Sequence, residues 1–340
     1  MYAVCPFATR RLIKIIKHEK PDIVHLHCIN GYCVDIYKLL QFLGNSEIKT
    51  VVTHHAEFFY TGNCGHAYDC VKFLNENGCY NCHMLKESTS SLWIDRTNDA
   101  WKHMKKSFSY FKEENIRFTA VSPWVVARSN LSPICNAFNC CSIYNGLDTN
   151  IFRVLPMSEI ESVRNKIPHE GKKIIMHVTA FFTTDANNIK GGAYIKRFAE
   201  MLPSYIFVVV ASRIGAVDDI PSNVYVWGRA SSQAQLAALY NAADLTIITS
   251  KRETFSMIIA ESLCCGTPVV GFEAGGPESI AIKEYSSFVP YGDEANFISE
   301  IDRCANLVWN SCVISNIAAA IYSKEEMTRG YINLYEKMIE

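Results

Sequence analysis

The sequence predicts an α/β protein built from two doubly wound domains, and three observations carry that prediction. The chain has 340 residues, about twice the ~150 of an ordinary domain. Short Val/Ile-rich runs alternate along it with longer stretches at helical spacing, the rhythm of βαβ units and parallel sheets. That rhythm is interrupted once, after Asn145, and then starts afresh. A 49% hydrophobic composition suffices for two packed cores, which excludes a disordered or fibrous chain.

Taken in order, the strand runs are 22–26, 49–53, 117–121, 173–178, 205–210, 223–226, 245–249 and 268–272. Helical spacing is found over 12–18, 34–43, 192–201, 233–242 and 256–263. The interruption spans 145–171, where Asn145-Gly146-Leu147-Asp148 is turn chemistry followed by a charged helical stretch; the linker is expected there. The domains are therefore expected at 1–148, with a Cys-containing insertion at about 56–95, and at 149–325. A last helix, 326–340, would pack back on the first domain. Only one helix precedes the first strand run, so the reading expects a shortened N-terminal domain. Two such domains facing each other would line one cleft with the carboxyl ends of both sheets, where these sheets bind ligands.

Lys and Arg number 33 against 34 Asp and Glu, so no basic field favours nucleic acid. The apolar runs fall far short of the ~20 residues of a spanning helix. Basic residues inside and after the first apolar stretch, with no cleavage pattern, argue against a secretory leader. The chain reads as cytoplasmic. The basic helix over 10–20 could touch anionic lipid at the inner face of the membrane, but ordinary packing on the sheet is the readier explanation of its apolar positions.

The densest signal is the run from Lys251 to Phe272: strand end, turn, helix, Gly stop, strand. Thr254 and Ser256 are good N-cap residues, and Gly266 with Pro268 ends the helix. The N–H groups of Thr254, Phe255 and Ser256 would form an anion site at the strand's carboxyl end, suited to a phosphate. Glu261 lies about five residues into the helix, roughly 8 Å from that site at ~1.5 Å per residue, where a carboxylate could accept both hydroxyls of a ribose. Glu253 would face the cleft from the preceding loop. Glu273-Ala-Gly-Gly-Pro-Glu278 adds a second glycine loop, with Gly276 offering close backbone approach.

These residues, with Cys265-Gly-Thr-Pro-Val-Val270, resemble the group 1 family of retaining nucleotide-sugar glycosyltransferases with the GT-B fold. The resemblance continues through Ala120-Val-Ser-Pro-Trp124, Asn145-Gly-Leu-Asp148 with Phe152, Lys190-Gly191-Gly192 and Leu239-Tyr-Asn-Ala-Ala-Asp244. It implies that Glu253 contacts the transferred sugar, that Thr254, Phe255 and Ser256 hold the diphosphate, that Glu261 holds the ribose, and that Lys190 neutralises the leaving phosphates. Fixed donors and a cation would then stabilise departure of the nucleoside diphosphate with no catalytic metal required. Asp185 stands where the family usually has a loop arginine, which implies either that Arg213 or Arg229 substitutes from a neighbouring loop or that donor phosphate binding is weaker than usual. Thr53-His-His-Ala-Glu-Phe-Phe-Tyr-Thr-Gly-Asn-Cys64 is similar to a run in relatives that build bacterial surface polysaccharides. It implies that His55 stands beside the transferred sugar or acceptor, while Ala56 and Asn63 depart from the usual Asp and His.

The resemblance thus implies a retaining transferase acting on a nucleoside-diphosphate sugar and a growing polysaccharide or lipid-linked glycan. A sugar-nucleotide-binding protein without transfer activity and a GT-B epimerase are the alternatives. His25 and His27 share a strand face and read as rim packing. Of fourteen cysteines, most read as reduced core residues, because adjacent pairs make poor disulfides. Cys64, Cys70, Cys79 and Cys82 form a cluster whose last pair has zinc-ligand spacing. A structural zinc organising an apolar-poor loop, reduced packing cysteines and, less readily, a disulfide are the readings open for it.

Overall fold

The computed structural model describes residues 5–29, 33–89, 91 and 93–340. By internal contacts the chain divides into one unit made of Met1–Tyr144 with Arg329–Glu340 and another of Asn145–Thr328.

Among the described residues the first unit holds four strands, β1 (Ile23–His27), β2 (Lys49–His54), β3 (Ile116–Ala120) and β4 (Cys140–Ser142), in that spatial order and all parallel. Its helices are α1 (Pro6–Glu19), α2 (Ile36–Gly44), α3 (Phe58–Thr61), α4 (Leu85–Thr89), α5 (Thr97–Phe108) and α6 (Pro123–Leu131). Asp35 starts α2 by accepting the Lys38 N–H, and Ser122 starts α6 by accepting that of Val125, each satisfying a donor that the helix cannot. α1 buries Ile16 but leaves Phe7 and Ile15 exposed.

The second unit has the helices α7 (Met157–Arg164), α8 (Gly192–Met201), α9 (Gln233–Ala242), α10 (Met257–Cys264), α11 (Gly276–Ile280), α12 (Glu294–Asn306) and α13 (Ser311–Tyr322). Its strands are β5 (Lys173–Phe182), β6 (Tyr205–Ile214), β7 (Val224–Gly228), β8 (Leu245–Ile248), β9 (Val269–Phe272) and β10 (Ser286–Val289), in the parallel order β10-β9-β8-β5-β6-β7. Ile206, Phe207, Val208, Val209 and Val210 are all buried. A strand covered by helices on both faces reads as a continuous apolar run rather than an alternating one. The order change between β8 and β6 across β5 is a topological switch, and the carboxyl ends of these strands are where such a sheet takes a ligand.

The last helix, α14 (Lys324–Ile339), begins in the second unit and ends in the first. Three features differ from expectation. β4 and β10 are Cys-Cys-Ser and Ser-Ser-Phe-Val, too short and too polar to show a strand pattern. The stretch expected as a linker instead folds onto the second unit: Arg164 of α7 pairs with Asp244 at 3.1 Å and donates to the Ala242 carbonyl. The cysteine insertion is not apolar-poor. Phe58, Phe59, Tyr60 and Phe73 within it are buried, and Trp101 of α5, itself 2% exposed, donates to the Phe73 carbonyl.

Candidate functional site

In the second unit, two glycine loops and one helix start build the site. Gly191 adopts φ +69°, and a Cβ there would collide with the Thr249 carbonyl. That approach, with the Thr249 hydroxyl donating to the Lys190 carbonyl at 3.0 Å and the Lys251 N–H to Ile189 at 2.8 Å, fixes the loop above the end of β8. The Lys190 ammonium then meets the Glu253 carboxylate at 2.5 Å, both side chains partly shielded from water. Sixty-three residues of chain separate the partners.

Glu253 is itself fixed by a parallel bridge to Gly275: its N–H donates to Ala274 at 3.0 Å and its carbonyl accepts from Gly276 at 2.9 Å. Glu278 accepts the N–H groups of Ala274 and Gly275 at 3.0 and 2.7 Å. A Cβ on Gly276 would overlap the Thr254 carbonyl. Gly276 is thereby required by the close approach of two backbones.

Ser256 occupies the N-cap of α10, but its hydroxyl caps nothing. Its φ of +76° is unusual for a residue with a side chain, and its Oγ is buried with no hydrogen-bond partner. The expected Ser cap is therefore corrected: the left-handed backbone turns the hydroxyl away from the first turn. Such strain persists where surroundings enforce it, often at a ligand site. Glu261 accepts from Tyr240 Oη at 2.9 Å. Burial raises its pKa, against the lowering effect of that hydrogen bond.

Beside these loops a pocket of about 310 Å³ opens at the carboxyl ends of β5, β6 and β7, lined among others by Thr179, Ser212, Arg229, Ser231 and Gln233. Arg229 thus takes a place at the pocket, whereas Arg213 is exposed with its guanidinium 5.9 Å from the Phe181 ring centroid. Asp185 is exposed and accepts the Asn187 N–H at 2.9 Å in a local turn. Ser212, Ser231 and Gln233 were not singled out from the sequence; their position near the carboxyl ends of β6 and β7 was the signal that could have found them. His177 on β5 was also missed. Burial lowers its pKa to about 4, and the Lys190 charge acts in the same sense.

In the first unit, the two adjacent histidines after the β2 run separate in role. His54 is fully buried, stacked on Phe118 and 3.2 Å from Ser129 Oγ, and burial lowers its pKa to about 3. His55 is half-buried at the strand end and borders a small recess with Cys28, Ala56 and Phe59. Asn63 is structural: it is buried and donates to the Thr97 carbonyl at 2.9 Å.

Burial pushes the Cys79 thiol up to about 12, and nearby Cys64, Cys70, Cys82 and Asp95 act in the same sense. The four cysteines are therefore neighbours. Among the described residues no group of three or more His, Cys, Asp or Glu side chains has an arrangement that could hold an ion. The aromatic anchor at Phe73 and Trp101 organises the insertion.

Residues 195–306, most of the second unit, match the family model described as Glycosyl transferases group 1. A D-inositol 3-phosphate glycosyltransferase of Segniliparus rotundus is 41% identical over 75 residues, 22% of this chain and 16% of that protein. An N-acetyl-alpha-D-glucosaminyl L-malate synthase of Bacillus anthracis is 22% identical over 288 residues, 83% of this chain and 65% of that protein. In each case the alignment spans less than two thirds of the relative's own length. Among solved structures, Anabaena HepE in complex with UDP aligns over 97% of this chain and 82% of its own, with a TM-score of 0.65 and 15% identity. Two parallel-sheet units and this structural likeness together establish that the chain has the GT-B fold, and its second unit carries the group 1 glycosyltransferase pattern.

Proposed function

We propose that the protein is a retaining glycosyltransferase that moves a sugar from a nucleoside-diphosphate donor to a growing polysaccharide or lipid-linked glycan. The observation that carries this reading is the convergence of Lys190, Glu253 and the start of α10 at the carboxyl end of β8, in the unit whose pocket takes Arg229, Ser231 and Gln233. In this reading the base enters the pocket near Arg229, Glu261 takes the ribose, and the backbone at Thr254, Phe255 and Ser256 takes the diphosphate. The backbone at Ser256 supports this, since its hydroxyl accepts from none of the first-turn N–H groups, the donors with which a helix start holds an anion.

As the bond to the sugar breaks, negative charge grows on the departing phosphate and positive charge on the sugar. Lys190 would meet the first and Glu253 the second, the substrate dividing the ion pair between them. That pair keeps both charges poised in a partly shielded site. Leaving-group stabilisation is assigned to Lys190 and the helix start rather than to a metal. On the first unit, His55 is assigned to the transferred sugar or the acceptor. Support from comparison is the group 1 match of the second unit and the UDP held by the structurally similar HepE.

Incubation with a panel of nucleotide sugars and glycan acceptors, with the anomeric configuration of the product read by NMR, tests the reading. Transfer with retention supports it. Donor binding without product would instead make this a sugar-nucleotide-binding protein, and an isomerised donor would make it an epimerase.

A further inference from the structure

His25, His27 and His55 form a row of imidazoles where β1 and β2 end. The β1–β2 register pairs His27 with Thr53, bringing the end of β1 beside the residues just after it. His25 and His27 lie 3.9 Å apart between ring centroids, and His27 and His55 lie 5.2 Å apart. His27 Nδ1 is 2.9 Å from His55 Nε2, a nitrogen-to-nitrogen hydrogen bond. The far end of the row is tied to α14: His25 Nδ1 is 2.6 Å from Tyr335 Oη, and Nε2 is 2.6 Å from Thr53 Oγ1. Thr53 Oγ1 continues to Thr119 at 2.7 Å and Tyr331 at 3.3 Å.

Rim packing explains stacked rings but not this pattern of nitrogen contacts. His27 is exposed, so burial does not demand an imidazole there, and an apolar ring would stack as well. A neutral imidazole carries one N–H, and the partner of each nitrogen decides which one carries it. With Tyr335 donating to His25 Nδ1, the Nε2–H of His25 donates to Thr53, whose hydroxyl donates to Thr119; the reverse sense is equally continuous. The titratable groups around the row are Cys28 of the β1 end, buried His54 beside His55, and Tyr331 and Tyr335 of α14. The charges acting on His25 are those of His27 and His55, and the charge acting on His55 is that of His27. Every one of these effects opposes protonation.

We propose that His27, backed by His25 and by Tyr335 of the last helix, is a positioning residue that fixes the ring orientation and tautomer of His55 for a sugar or acceptor hydroxyl. The choice of ligand rests on the transferase reading above; the positioning itself does not. It gives α14, which ends in the first unit, a direct part in shaping the site.

The test compares His27→Phe, which keeps a stacking ring without nitrogens, with His27→Gln, which keeps an amide of similar reach. His27→Phe is expected to lower kcat by about tenfold or more, the scale on which a misplaced group costs rate. Nucleoside-diphosphate affinity, set in the other unit, should be unchanged. His27→Gln should recover most of kcat, and Tyr335→Phe should give a smaller loss in the same direction. Ring 15N NMR supplies a readout independent of activity: His55 should show one neutral tautomer in the unsubstituted protein and in His27→Gln, and a mixture in His27→Phe. Equal rates and equal tautomer populations in the two His27 variants would overturn the proposal. If the unsubstituted protein transfers no sugar at all, the transferase reading fails, and the NMR comparison still decides the positioning role.

Discussion

Glu253 and Glu261 are both carboxylates of one loop and helix, yet their surroundings assign them different work. Glu261 is held by Tyr240 inside a largely buried setting where its charged form is disfavoured, so a ribose offering two hydroxyl donors would satisfy it. Glu261→Ala should weaken nucleoside-diphosphate binding by about 1–3 kcal/mol, the loss expected for a hydrogen bond to a charged acceptor. Isothermal calorimetry with free UDP and GDP checks this, and unchanged affinity would remove the ribose assignment. Glu253 meets Lys190 instead. Glu253→Gln frees that lysine for phosphate, so free-nucleotide affinity should hold or rise while sugar transfer falls. A parallel drop in both would place Glu253 in the nucleotide site.

The element that matters most is the start of α10, held from below by the glycine loop that leads into α11. Gly276→Ala forces a Cβ onto the Thr254 carbonyl, and overpacking of this kind costs about 1–3 kcal/mol. The expected outcome is a lower denaturation midpoint together with weaker nucleotide binding, because the backbone that must shift is the proposed phosphate cradle. Gly65→Ala is the control, since its Cβ would meet open space; an equal loss there would refute the argument. In the cysteine insertion, buried aromatic side chains hold the chain, and no arrangement suited to an ion is found among the described residues. Metal analysis of protein purified without a His-tag should accordingly find well under one zinc per chain, and stoichiometric zinc would restore the metal reading.

Across the whole molecule, several histidines are folded in their neutral form. His25 and His177 have pKa values lowered to about 4 and His54 to about 3, each chiefly by burial. An unfolded histidine titrates near 6.5, so between that value and about 4 the unfolded chain binds more protons than the folded one. Their contribution to stability is therefore complete above pH ~6.5 and is lost progressively as pH falls towards the folded values. The thermal midpoint should drop between pH 7 and pH 4.5. His54→Phe should shrink that pH dependence, even where it alters the midpoint at pH 7; an unaltered slope would count against His54 as a contributor.

Much of this molecule is local in origin. Periodicity in the chain marks β5, β6, β8 and β9, because a parallel strand buried on both faces must be apolar throughout. The turn, helix and Gly stop around Glu261 are readable because they depend on neighbours within a few residues. β4 and β10 were unreadable because three or four residues, most of them serine or cysteine, carry no period, and their strand state comes from pairing with β3 and β9. The Ser256 hydroxyl defied its cap propensity because its backbone is packed into the left-handed region. The sequence by itself determined the α/β class, the split into two sheets and the list of chemically capable side chains. Only the tertiary structure decided which of them meet. Lys190 finds Glu253 across 63 residues and His25 finds Tyr335 across 310, and no local pattern encodes such a contact. Crossover helices and a returning last helix bring these side chains together by burying apolar surface far from the polar atoms that finally touch.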